Sequence, residues 1–278
     1  MKKGRRIIAA VMAFTVLGVL VRLGCFSHEP SYHGRELSVW LEQYADTQKP
    51  DPKSNDKLLA QESEFAIRRI GTNGIPILLA FVRASDSTIK SNLIVLVRGN
   101  SWVPFHPRSE RECHRLAAFG FYALGENGKP AVPELILCVT DQNEKVRQTA
   151  ADCLGNVGPP AKAAVSKLLP LLGSTNKIVR WATMLNLGKI HAEPEMVVPV
   201  LIKEIAVSVA SRDRLVPTIL KTIATFGEFA KEAIPTITAL LHDEDIDVRV
   251  AATNAIVAID PTTMKFGSDA SLLSTKPK

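Results

Sequence analysis

Between Ala131 and Pro261 the apolar residues of this chain fall on two ladders, each rising in steps of just over thirty residues. On the first, an apolar residue is followed by two more, eight and eleven positions later. Val146, Leu154 and Val157 form one such triplet; Val179, Leu187 and Ile190, then Leu215, Ile223 and Phe226, then Val248, Ile256 and Ile259 form the others. Their first members are 33, 36 and 33 residues apart. Eight and eleven residues are close to two and three turns at about 3.6 residues per turn, so each triplet lies along one helix face. The second ladder is Val132-Pro133, Val165-Ser166, Val198-Pro199 and Ile234-Pro235, in steps of 33, 33 and 36. Proline fits the first turn of a helix, where its missing N–H had no partner to lose. These positions therefore predict four further helix starts. Two helices per period predict a stack of helical hairpins.

The pattern loosens upstream. Lys57–Ile70 reads as a helix, Gly71-Thr72-Asn73-Gly74 as a turn and Ile75-Pro76 as the next helix start, which makes a degenerate first hairpin over residues 57–84. From Pro76 to Pro133 there are 57 residues, one period and 24 more. The surplus predicts an extra helix, Thr88–Val97, and an irregular segment from Gly99 to Pro107. Trp102, Phe105 and His106 stand together in that segment. They form a contact surface of the kind solenoids build on long loops, or they fold back and plug the groove beside the extra helix. Nearer the start, Leu37, Trp40, Leu41 and Tyr44 have helical spacing and predict a helix over Glu36–Ala45. Terminal repeats need a cover for their outer face, so this helix is expected to cap the stack, with Trp40 as a packing residue. Residues 47–56 hold two prolines and read as a loop, and residues 262–278 form a polar tail without strong periodicity.

Two of the turns carry an Asp with an Arg six residues later: Asp141 with Arg147, and Asp243 with Arg249. Ser174 with Arg180 keeps the Arg but not the Asp, and Ala210 with Val216 has neither. Leu124-Gly125-Glu126-Asn127-Gly128-Lys129-Pro130-Ala131-Val132-Pro133 precedes the first complete hairpin. In these features the chain resembles HEAT-repeat proteins of the PBS-lyase HEAT-like type, whose signature is that Asp and Arg and a Leu-Gly-x-x-Gly-x-x-Ala-Val-Pro junction. The resemblance covers residues 57–261 and implies a right-handed α-solenoid of about five hairpins. It implies almost nothing about function. The opening Tyr32-His33-Gly34-Arg35-Glu36-Leu37-Ser38-Val39-Trp40-Leu41 is also similar to that of exported bacterial HEAT-like proteins.

The charge pattern bears on location. Residues 1–26 contain five basic side chains (Lys2, Lys3, Arg5, Arg6 and Arg22) and no acid, and Ile7–Val21 is uncharged. A basic flank followed by an apolar run is an export signal. Fifteen apolar residues fall short of the roughly 20 that span a bilayer, but residues 7–26 suffice if Arg22 snorkels to the interface. Three fates follow: a retained anchor, cleavage (with no clear Ala-x-Ala site), or lipidation at Cys25, where Leu23-Gly24-Cys25 resembles a lipobox but Arg22 departs from it. The anchored form is the expectation adopted here. It places the protein in the cytoplasmic membrane as a single-pass chain with its body on the periplasmic or extracellular side. The whole chain carries +6 from 34 basic and 28 acidic residues; without the five leader bases the balance is 29 against 28. The excess is thus a topology signal, and a nucleic-acid partner is not expected.

Candidate chemistry is sparse. The histidines at 28, 33, 106, 114, 191 and 242 show no His-Glu-x-x-His spacing, and no cysteine pair is Cys-x-x-Cys. The single His28-Glu29 lies outside the repeats, so the iron-binding pattern of the HEAT-like deoxyhypusine hydroxylases is not reproduced. His114 is read at the start of a helix and His191 at the end of one. Asp243, Glu244, Asp245 and Asp247 are read as helix-capping acids rather than a calcium loop. Cys113, Cys138 and Cys153 are read as small buried hydrophobes, with oxidation of Cys138 and Cys153 left open. No metal or cofactor is expected and no enzyme activity is indicated. The expected function is a non-enzymatic interaction scaffold that binds another protein or peptide on a concave face of second helices. Arg180 and Trp181 are candidate contacts, although Trp181 equally suits a wedge between repeats. The alternatives are a HEAT-like enzyme or nucleic-acid protein, bilin lyase-like or DNA glycosylase-like.

Each triplet residue contributes on the order of 1.5–3 kcal/mol through burial. Val179→Asp or Leu187→Asp is therefore expected to unfold the neighbouring repeats. Circular dichroism should show a large loss of helical signal, and a spectrum with substantial strand content in the parent protein would reject the fold.

Overall fold

The computed structural model describes residues 29–48, 56–86, 108–211 and 214–262. The expected membrane segment, the extra helix over Thr88–Val97, the cluster Trp102, Phe105 and His106, and the tail beyond Thr262 lie outside these residues. The chain divides into two compact units, residues 1–77 and 78–278.

The first unit opens with a hairpin that the sequence reading did not anticipate. β1 (Ser31–Tyr32) pairs antiparallel with β2 (Arg35–Glu36). Its two-residue turn uses His33 and Gly34, both at positive φ, the conformation a tight hairpin demands. Helix α1 (Leu37–Thr47) follows, within a residue or two of the expected span. Leu37, Trp40, Leu41 and Tyr44 are all buried, as their spacing required. Trp40 is a packing residue: its Nε1 donates to the Tyr32 carbonyl at 3.2 Å, and the Arg35 guanidinium lies 3.9 Å from its ring centroid. Helix α2 (Asp56–Ile70) packs on α1, and a 3-10 turn (Gly71–Gly74) leads to α3 (Ile75–Val82), as the sequence predicted. Gly71, at φ 59°, bends the chain there.

The second unit is an all-α solenoid of stacked hairpins. Beyond α3 its helices among the described residues are α4 (Glu110–Leu124), α5 (Val132–Cys138), α6 (Glu144–Val157), α7 (Val165–Leu168), α8 (Lys177–Ile190), α9 (Pro194–Ala210), α10 (Val216–Thr225), α11 (Ile234–Ala239) and α12 (Ile246–Ile259). The even-numbered helices form one layer in which α4 meets α6, α6 meets α8, α8 meets α10 and α10 meets α12. All twelve residues of the apolar triplets are buried in it. Helix α4 starts earlier than expected because Ser109 and Glu112 close a capping box, so His114 lies one turn inside the helix. His114 is buried, with Nε2 3.0 Å from the Ala84 carbonyl, and burial holds its pKa below the usual histidine value.

Three junctions are alike. Gly125, Gly158 and Gly227 take positive φ, a region open to glycine, and each starts a 3-10 turn that leads into α5, α7 or α11. The junction after α8 differs. His191 takes its place at φ 49°, and α9 begins directly at Pro194. Pro199, expected to open this helix, therefore lies inside it and removes one backbone hydrogen bond. The His191 ring is held by the next repeat: its Nε2 donates to the Thr225 carbonyl at 2.6 Å, and it stacks on Phe226 at 5.3 Å.

The approach of α6 to α8 depends on glycine at 155. A Cβ there would lie 2.3 Å from Asn186 Oδ1 and 2.8 Å from its Cβ, whereas one at Gly173 would meet nothing within 4 Å. Gly155→Ala is expected to cost about 1–3 kcal/mol through overpacking. Gly173→Ala should leave stability nearly unchanged, which paired urea titrations of the two variants would check.

Candidate functional site

The turns that start the second helices explain the Asp and Arg pattern. Arg147 Nη1 donates to the carbonyls of Asp141 and Gln142 at 2.8 and 2.9 Å, and Arg249 Nη1 to those of Asp243 and Glu244 at 2.7 and 3.0 Å. The arginine thus satisfies carbonyls of the turn that follows the preceding helix. The aspartate accepts a backbone N–H two residues on: Asn143 to Asp141 at 2.7 Å, Asp245 to Asp243 at 2.9 Å. That task needs an oxygen and no charge. Ser174 does it for Asn176 at 3.2 Å while Arg180 Nη1 donates to the Ser174 carbonyl at 2.6 Å, so the pair read as broken is chemically intact. Asn143, Asn176 and Asp245 then cap α6, α8 and α12. Position 210 lacks the motif because α9 is still helical there.

The longer α9 walls one side of a cleft of about 340 Å³. One wall is the start of α8, with Ser174, Lys177 and Arg180; the other is the last two turns of α9, with Glu204, Val207 and Ser208, and then Ser211. Burial raises the Glu204 carboxyl above its ordinary value, and the Arg180 charge opposes this. Arg180, expected as a partner contact, is half-buried and directs Nη1 to its own turn. Trp181 is 46% exposed, not wedged between repeats, and Ile178, 60% exposed, lies one turn before it on the same face.

A polar seam that the sequence reading missed ties α4, α6 and α8 together. Asn156 Nδ2 donates to the Ala118 carbonyl at 3.0 Å and its Oδ1 accepts from Lys189 Nζ at 3.0 Å. Asn186 Nδ2 donates to Asp152 Oδ1 at 2.8 Å, and Asn176 donates to Glu144. Desolvation raises the Asp152 carboxyl above its ordinary value, while the Asn186 hydrogen bond and the Lys189 charge pull it down. Asn186 is buried between apolar neighbours, and such an interrupted apolar run is the signal that could have revealed the seam. Cys113, Cys138 and Cys153 are buried. Burial pushes the Cys138 and Cys153 thiols up, which disfavours the reactive thiolate.

These features define a helical-repeat protein. Residues 117–188 and 132–215 match the family model for HEAT repeats, and residues 233–262 match that of the HEAT repeat; the chain carries HEAT repeats across these stretches. A search of curated proteins returns no match. Among solved structures, an engineered protein is 18% identical over 80% of this chain and 96% of its own, with a TM-score of 0.48. A designed armadillo repeat protein in complex with the peptide (KR)4 is 15% identical over 81% of this chain and 100% of its own, with a TM-score of 0.44.

The Asp152 carboxyl gives a pH test with a definite sign. A carboxyl whose pKa is higher in the folded than in the unfolded state stabilises the fold at low pH. That contribution is lost as pH rises above 3.8 and through the raised value. Asp152→Asn keeps an oxygen to accept from Asn186, so urea unfolding across acidic to neutral pH should show the variant gaining on the parent as pH rises. A parent that gains on the variant instead would contradict the shift.

Proposed function

We propose that this chain is a non-enzymatic scaffold that binds a protein or peptide along its layer of second helices. A repeat solenoid is suited to protein binding because its repeats align equivalent side chains along a continuous surface. The observation that carries the reading is the exposed pair Ile178 and Trp181 on α8, the middle helix of that layer, beside the cleft of Lys177, Arg180 and Glu204. An exposed tryptophan with an aliphatic neighbour and a polar rim is the composition of a binding hot spot. Trp102, Phe105 and His106 supply a second set of contacts in this reading.

The proposal includes location. The basic flank and apolar run of residues 7–26 hold the chain in the cytoplasmic membrane of a bacterial cell and leave the repeats on the outer side. The near balance of charge beyond residue 26 favours a protein partner over nucleic acid.

The test joins the two parts. A reporter active only outside the cytoplasm, fused after Lys278, should be active in the membrane fraction. Cross-linking in intact cells should then give a discrete partner band that Trp181→Ala weakens by at least tenfold, as expected for a hot-spot residue worth about 2 kcal/mol. An inactive reporter would place the repeats in the cytoplasm and reject the location. An unchanged band with Trp181→Ala would reject the binding surface.

A further inference from the structure

Among the described residues the second helices differ in charge. Helix α4 carries two Arg and two Glu, α6 two basic and two acidic residues, and α12 one of each. Helix α8 carries Lys177, Arg180 and Lys189 with no acid, and α10 carries Lys221 with no acid. A body balanced at 29 basic against 28 acidic residues thus gathers a local excess on Trp181's own helix and the next. Lys177, Lys189 and Lys221 are exposed. Lys177 stands one turn before Trp181, and Lys189 about two turns after it. Lys221 holds on α10 the place that Leu185 holds on α8, by the same 36-residue step that carries Leu187 to Ile223. Thr222, next to it, donates to the Met184 carbonyl at 3.3 Å and so brings this part of α10 against α8. Acids on the adjoining helices face protein groups: Glu144 and Asp152 accept from Asn176 and Asn186, and Glu204 lines the cleft beside Arg180.

We propose that this surface recognises an acidic peptide, with an apolar side chain seated on Ile178, Trp181 and Leu185 and Asp or Glu residues beside it facing Lys177, Lys189 and Lys221. The inference rests on the binding surface proposed above and adds the chemistry of its partner. Charge complementarity selects the occupant. A basic peptide would meet like charge on both sides of Trp181, and such juxtaposition is how interfaces reject wrong partners. Nucleic acid fits less well, because it draws its affinity from about six to ten phosphate contacts, whereas these cations surround an apolar centre. The tryptophan anchors the peptide, and the lysines steer and select it. Packed helix axes lie roughly 8–10 Å apart, which an extended chain crosses in about three residues. An acid about three positions from the apolar anchor therefore reaches Lys221.

The probe is a random dodecapeptide library displayed on phage and selected on the full chain in detergent, with clones that also bind Trp181→Ala removed. Enrichment of Asp and Glu around an apolar residue in the remaining clones supports the inference. Neutral or basic sequences would overturn it and leave the binding surface standing. A selection that yields no clone dependent on Trp181 would overturn both. Binding of a selected acidic peptide, followed by fluorescence anisotropy, should weaken about fivefold with Lys221→Glu and by less with Lys221→Gln, and should weaken further as salt is raised. Lys167→Glu, on the first helix α7, should leave it unchanged, and the helical circular dichroism of all three variants should match the parent. Equal affinity of Lys221→Glu and the parent would overturn the inference, as would displacement of the peptide by a single-stranded oligonucleotide.

Discussion

The structure depends on the contact between successive second helices. A hairpin from one repeat has an apolar face too large to leave in water and too small to bury by itself. Stacking resolves this, because each triplet is covered by its own first helix and by neighbouring second helices, on both sides within the stack and on one side at α12. The stack holds at the α6–α8 step only because the backbones come close, which is why Gly155 lies against Asn186. The same closeness brings polar groups together. Asp152, Asn156, Asn186 and Lys189 are hydrogen-bonded across repeats and fix the register of the layer.

One repeat departs from the rest, and its departures have a common cause. Where Gly125, Gly158 and Gly227 allow a 3-10 turn, His191 ends α8 in a left-handed conformation and α9 starts at once. The early start puts Pro199 within the helix, and its extension to Ala210 accounts for the 36-residue step and the absent Asp and Arg. The added turns wall the cleft with Glu204, Val207 and Ser208. A regular array supplies the surface, and a local irregularity gives one part of it a distinct shape and charge.

In the proposed function the basic and apolar opening of the chain and its repeats play independent parts. In that reading residues 1–26 would direct the chain to the membrane through basic charge and apolar length, which need no fold. The exposure of Trp181 and Ile178 follows instead from the stacking of α8 against α6 and α10.

The sequence by itself determined the repeat, the helix faces and most helix starts, because period and apolar spacing are local properties of a helix. Lys57–Ile70 with its Gly71–Gly74 turn was legible for that reason, as was the burial of all twelve triplet residues. Only the tertiary structure decided the rest. That Ser174 replaces an aspartate depends on where its oxygen lies relative to the Asn176 N–H. The start of α9 turned on a left-handed histidine held by Thr225 and Phe226, residues some 34 positions away. The cleft and the Asp152 seam join side chains from different repeats. A periodic pattern shows that repeats meet, while the distances between unlike side chains exist only once they have packed.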